Sequence, residues 1–146
     1  MPVVTLGQPS LINGHQHFEN FLKYLYESGA SEGDRVVIGP RGTATNMGAD
    51  ELKTAKNKTR SFVQWYTRTI AKLPTDEWKR LCRSLGRTII EVENPNDTIT
   101  DEDFDEIWND MKQAIRDGNG MPLCAIAHRN QNGRPHHIHI MWIQKN

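Results

Sequence analysis

The sequence predicts an α+β fold, a central and largely antiparallel sheet of about five strands with helices packed on it. Three observations lead there. Short β-branched runs alternate with amphipathic helical stretches along the chain. The last two strands flank Asn132-Gly133, a strong hairpin signal. The length of 146 residues suits one domain, residues 1–146, with one core.

The elements follow in order. Residues 3–6 (Val-Val-Thr-Leu) read as a first strand before turn residues 7–10. Residues 15–28 read as a helix, because Phe18, Phe21, Leu22 and Leu25 recur at helical spacing, and Gly29 is a stop. Residues 35–38 form a β-branched strand closed by Gly39-Pro40, and residues 41–46 a polar loop. Residues 49–73 are expected to be helical, with a break near 57–60. Thr75 caps a further helix carrying Asp76 and Glu77 in its first turn, and Gly86 closes it. Residues 88–93 form a strand and 94–99 a turn. Thr100 caps a helix with Asp101, Glu102 and Asp103 at its start. Phe104, Ile107, Trp108, Met111 and Ile115 are its buried stripe, and Gly118 ends it. Residues 122–128 and 136–143 are the hairpin strands, joined by the turn at 129–135.

Composition narrows the function. No apolar run approaches the roughly 18 residues of a membrane span, and the first residues lack the pattern of a secretion signal. The expected compartment is the cytoplasm. Cys82 and Cys124 are far apart in sequence, which argues against a cysteine-based zinc site and for two buried thiols. The formal net charge is zero, but it is unevenly spread. Residues 51–87 are rich in Lys and Arg, and residues 91–110 are acidic. Lys53, Lys56, Lys58, Arg60 and Arg68 are the candidate nucleic-acid contacts on the basic segment. On charge alone, two solvated helix faces explain the pattern as well.

The chemistry concentrates in His136-His137-Ile138-His139-Ile140-Met141-Trp142. Side chains alternate along a strand, so His137, His139 and Met141 share one face, opposite Ile138, Ile140 and Trp142. The apolar face belongs in the core, and the histidine face is expected to meet something polar. His128 ends the preceding strand, so hairpin closure returns it toward His137 and His139. Three imidazoles from one hairpin make a compact nitrogen site for a divalent metal, with open positions for substrate. A histidine-triad nucleotide hydrolase would need a third alternating histidine, where Met141 stands.

His137-Ile138-His139 resembles the His-hydrophobic-His motif of HUH endonucleases. The order of elements is similar to the relaxases of plasmid mobilisation and conjugation, which place a tyrosine helix first and the histidines late. Phe21-Leu22-Lys23-Tyr24-Leu25, followed by Glu27-Ser28-Gly29, looks like the tyrosine helix of the relaxase group that includes broad-host-range and tumour-inducing-plasmid enzymes. Arg35-Val36-Val37-Ile38, Thr43-Ala44-Thr45-Asn46, Thr88-Ile89-Ile90-Glu91-Val92 and Cys124-Ala125-Ile126-Ala127-His128 match further pieces in order. The chain departs from the family pattern at Asn130, where Asp is usual, in a longer gap between His128 and His137, and in Ile143 and Gln144 following the histidine strand where an Asn is usual.

The resemblance implies metal-dependent nicking and joining of single-stranded DNA through a covalent 5′-phosphotyrosine. Its metal would be one ion of Mn²⁺, Mg²⁺ or Zn²⁺ on His128, His137 and His139. Tyr24 is the first-ranked nucleophile, then Tyr66, which precedes Thr67-Arg68, then Tyr26; His15 or His17 is a further candidate. Glu91 is the preferred carboxylate to orient a ligating histidine or bind the metal, ahead of Glu93. Single-stranded DNA and accessory transfer proteins are the implied partners. The rival functions are a non-catalytic nucleic-acid-binding module of the same fold and a metal-dependent phosphoesterase with no covalent step.

Overall fold

The computed structural model describes residues 1–70, 72, 79 and 82–144. The chain runs β1 (Val4–Leu6), β2 (Ser10–Leu11), α1 (His15–Lys23) with a π-helical turn over Tyr24–Ser28, β3 (Arg35–Ile38) and β4 (Thr45–Asn46). It continues through α2 (Ala49–Trp65), a second π-helical turn (Tyr66–Ile70), a short 3₁₀ turn (Cys82–Ser84) and β5 (Leu85–Val92). It ends with α3 (Asp101–Asp117), β6 (Gly120–His128) and β7 (His137–Gln144).

The strands form one sheet in the order β1-β5-β7-β6-β3-β4, with β2 also paired to β5, and every pairing is antiparallel. The sheet thus has seven strands among the described residues, where about five were expected. The extra two are the pairs Ser10–Leu11 and Thr45–Asn46. Both fall in segments whose polar and turn residues read as loop, and runs of two residues carry no periodicity.

Helices cover both faces. On one, Phe18, Leu22 and Leu25 from α1 and its turn, and Ala55 and Val63 from α2, pack on Val36, Ile126, Met141 and Ile143. On the other, Phe104, Ile107, Trp108 and Ile115 of α3 pack on Val37, Ile90, Ala125, Ile138 and Ile140. Burial on both faces explains the nearly continuous apolar run Leu123-Cys124-Ala125-Ile126-Ala127 of β6. A register shift between Pro122 and Cys124 breaks the alternation there, and Leu123 and Cys124 both join the α1/α2 side. Both cysteines are buried thiols, and burial pushes them up to about 12.

Three expectations need correction. Gly86 does not close a helix but lies within β5, where a Cβ would stand 2.3 Å from the Trp142 ring of the neighbouring strand. The glycine serves close strand-to-indole packing. The helix from Ala49 runs unbroken through residues 57–60, because Thr59 is buried and bonds back to the Ala55 carbonyl (3.0 Å) while Arg60 reaches α1. The face opposite Ile138, Ile140 and Trp142 is covered as well: it lies under α1, with His137, His139 and Met141 all buried, and of the three only His139 borders a cavity with polar walls. The predicted helix start at Thr75, Asp76 and Glu77 lies outside the described residues.

Ion pairs fasten the layers. Arg60 grips both Glu19 oxygens (2.7 and 2.6 Å), and Lys56 meets Glu27 (2.6 Å), tying α2 to α1 and its turn. Arg35 holds Asp105 and Arg129 holds Asp101 (2.8 Å), tying the acidic start of α3 to β3 and to the β6–β7 loop. Among the described residues no helix is long and apolar enough to cross a membrane.

Candidate metal centre

The centre begins with strand register. β6 and β7 pair antiparallel with His128 directly opposite His137, and Ile126 opposite His139. Opposed residues share a face, so His128, His137 and His139 all project toward α1. The loop between the strands turns at residues 131–134, closed by Arg134 N–H donating to the Gln131 carbonyl (3.2 Å). Gly133 takes the left-handed conformation there (φ 70°), which glycine adopts without strain.

The three rings are buried, and their centroids lie 4.8 to 5.2 Å apart. One nitrogen from each can be chosen so that all lie within 4.8 Å of one another. Two backbone carbonyls orient the rings. His128 Nε2 lies 2.9 Å from the Leu25 carbonyl, and His137 Nδ1 lies 2.9 Å from the Pro135 carbonyl. A carbonyl accepts only, so each of those nitrogens carries the proton. That leaves His128 Nδ1 and His137 Nε2 as lone-pair donors. Among the described residues neither has a hydrogen-bond partner, and neither does either nitrogen of His139.

The Leu25 carbonyl is free for this role because of the π-helical turn. Gly29 N–H bonds to the Tyr24 carbonyl (2.8 Å), five residues back, instead of to Leu25. Gly29 must also lack a side chain, since a Cβ there would stand 2.8 Å from His128 Cε1 and 2.9 Å from the Tyr24 ring.

Electrostatics keeps the rings neutral. Burial, then the neighbouring His137 and Arg134, brings His128 down to about 4. Burial, then His128, His137, Arg134 and Arg87, brings His139 down to about 2. Burial also lowers His137. Neutral imidazoles with buried, unpartnered nitrogens are what a metal ion requires. Leaving such groups unpaired costs about 1–3 kcal/mol each, so the cluster fits a bound ion better than it fits ordinary core packing.

Tyr24 stands beside this cluster, edge-on to His128 (centroids 5.4 Å) and to His139 (5.2 Å). Arg134 Nη1 donates to its hydroxyl at 3.4 Å. A cavity of about 560 Å³ opens next to Tyr24 and His139, between α1 and the β1–β2 edge, and its walls include His17, Phe21, Arg87 and Arg134.

The other predicted site residues fall elsewhere. Tyr66 is buried and lines a separate cavity with Gly39, Phe62 and Met121. Met121 is at the far end of β6 from His128, roughly 20 Å away at strand rise. Tyr26 is buried in hydrogen-bond contact with Thr59 (2.8 Å). His15 sits 3.4 Å from Glu19, and His17 accepts from Asn13 N–H (2.9 Å) at the cavity wall.

Glu91 is opposite His137 across β5 and β7, but its carboxylate is 3.8 Å from Arg134, and carbonyls of Pro135 and Leu25 do the orienting expected of it. Glu93 accepts from Thr5 (3.3 Å). Of the basic candidates, Lys56 and Arg60 are engaged with α1 and its turn, Lys53 is 3.7 Å from Asp50, and Lys58 and Arg68 are exposed. None of the five lines the cavity. The cations that do are Arg87 and Arg134. Arg134 had one sequence signal, its place between the Asn132-Gly133 turn and the histidine strand. Arg87 had none beyond its charge.

Fold and site together define an α+β protein with a buried three-histidine cluster able to hold a metal ion beside a tyrosine-lined cavity. Comparison with protein-family models, curated proteins and solved structures finds no match.

Proposed function

We propose that this protein nicks and rejoins single-stranded DNA through a covalent phosphotyrosine, on an HUH-endonuclease-like fold, as relaxases do. The observation that carries this reading is the edge contact of Tyr24 with two of three buried imidazoles whose unpartnered nitrogens converge. His128, His137 and His139 would hold a divalent ion, which when bound would supply Lewis-acid stabilisation of the negative charge that develops on the phosphate. All-imidazole ligation favours Mn²⁺ or Zn²⁺ over Mg²⁺. The three histidines bring no charge of their own, which favours an anionic partner such as a phosphodiester.

Tyr24 is the nucleophile. Its hydroxyl oxygen bonds to phosphorus and the bond to the 3′ oxygen breaks, leaving a 5′-phosphotyrosine and a 3′-hydroxyl. The phenolic proton passes to water at the cavity mouth, and the departing oxygen takes one up. Attack by the 3′-hydroxyl on the phosphotyrosine reverses the step and reseals the strand. Arg134 holds the tyrosine hydroxyl in place. Accessory transfer proteins are the further partners this role implies.

The test is a denaturing gel of labelled single-stranded oligonucleotides incubated with the protein and Mn²⁺. A denaturant-resistant adduct is expected with the native chain, lost in both Tyr24→Phe and His139→Ala. Cleavage with no adduct would replace this reading with a phosphoesterase. An adduct that survives Tyr24→Phe would move the nucleophile elsewhere. Neither cleavage nor adduct across a varied oligonucleotide pool would leave a binding module.

A further inference from the structure

The cavity beside Tyr24 has a composition that its contact with the histidines does not explain. Two arginines line it, and among the described residues its wall contains no aspartate or glutamate. Arg87 projects from β5 on the histidine face, opposite Met141. Its guanidinium lies over the Phe21 ring, 5.0 Å from the centroid. Among the described residues its buried Nε has no hydrogen-bond partner and the guanidinium has no ion pair. Arg134 reaches the cavity between Tyr24 and Glu91. Gln8, Ser10 and Asn20 add uncharged polar groups.

A half-buried guanidinium with an unsatisfied donor needs an acceptor, and where the described residues of the cavity wall offer no carboxylate an incoming anion provides it. Stacking on Phe21 holds the fork in one orientation, as recognition of a phosphate by arginine requires. The volume of about 560 Å³ accommodates a nucleotide unit but not a duplex.

We infer that Arg87, stacked on Phe21 and assisted by Arg134, forms a phosphate subsite for a single-stranded polynucleotide, binding a phosphate next to the one that meets the histidines. The inference rests on the nucleic-acid reading above for the nature of the anion, but it requires neither a metal ion nor strand cleavage. The strand-binding surface is therefore this cavity, not the Lys53–Lys58 face of α2.

The test measures binding of a fluorescein-labelled oligothymidylate of about 12 nucleotides by anisotropy, in EDTA, over a range of salt concentrations. Each phosphate contact to a single strand contributes about −0.7 to the slope of log K against log salt. Arg87→Gln is expected to weaken binding about tenfold at low salt and to make the slope shallower by about 0.7. Arg87→Lys should keep most of the slope while losing affinity, because the charge stays and the planar stacked fork goes. Lys53→Gln with Lys58→Gln should change neither quantity. Thermal melting reports whether each variant folds; if Arg87→Gln does not, Arg87→Lys and Arg134→Gln decide. Native affinity and slope in folded Arg87 variants would overturn the inference, as would a loss confined to the Lys53/Lys58 variant or no binding by the native protein. The expected binding pattern without a covalent adduct would sink the nicking reading and leave this subsite standing.

Discussion

At the scale of single residues, three neutral imidazoles are stabilised in a place where a charged one would not be. Folding lowers His128 to about 4 and His139 to about 2 from the ordinary value of 6.5, chiefly through burial. Between those values and 6.5 the unfolded chain holds protons that the folded chain has released. Stability is therefore fully present above pH 6.5 and is lost as pH falls toward the folded values. For the protein freed of metal, urea unfolding should show a loss of about 2 kcal/mol per strongly lowered ring between pH 6.5 and about 5. A profile flat across that range would mean that the rings are not buried neutral as described. The histidines were legible from the sequence because alternation on a strand and a tight hairpin fix their geometry at short range. Their orienting partners were not, because the Leu25 and Pro135 carbonyls belong to the backbone, and any residue type supplies one. Glu91 was chosen for its chemistry, and its carboxylate faces Arg134 instead.

At the scale of elements, the π-helical turn over Tyr24–Ser28 is the piece that joins the tyrosine to the histidines. It presents the Leu25 carbonyl to His128 and leaves Gly29 against both rings. Gly29→Ala should lower stability by about 1–3 kcal/mol, since a methyl must be forced between His128 and Tyr24, and should weaken metal binding in parallel. Paired urea melts and metal titrations check this; unchanged values in both would remove the turn from the account. The helical stripe of Phe18, Phe21, Leu22 and Leu25 predicted the helix, and the same spacing is compatible with an α or a π turn at its end. The difference lies in one hydrogen bond, Gly29 to Tyr24, that tertiary packing decides. The strand pairs Ser10–Leu11 and Thr45–Asn46 were hidden for a similar reason: their neighbours in the sheet, not their own residues, make them strands.

At the scale of the whole molecule, the sheet separates a working face from a supporting one. α1 and α2 cover the histidines, while α3 buries Phe104 and Trp108 against the reverse side. The charge asymmetry of the sequence maps onto this division, with the acidic helix on the side away from the histidines. The basic segment supplies two of its cations, Lys56 and Arg60, as fasteners between helices. Sequence alone counts such charges but does not tell which are already paired. Phe104→Ala should cost about 3–5 kcal/mol of stability through the cavity it leaves. The variant, while folded, should bind metal as the native protein does, because Phe104 lies in the opposite core. Calorimetric titration alongside thermal melting separates the two effects, and metal binding that falls with stability would show the faces to be coupled.

The most direct test of the central claim is calorimetric titration of the metal-free protein with Mn²⁺ and Zn²⁺ near neutral pH, with His139→Ala and Tyr24→Phe in parallel. One ion per chain is predicted for the native protein and for Tyr24→Phe, with binding abolished in His139→Ala. No binding by the folded native chain, or undiminished binding by His139→Ala, would contradict the claim that His128, His137 and His139 form a metal centre.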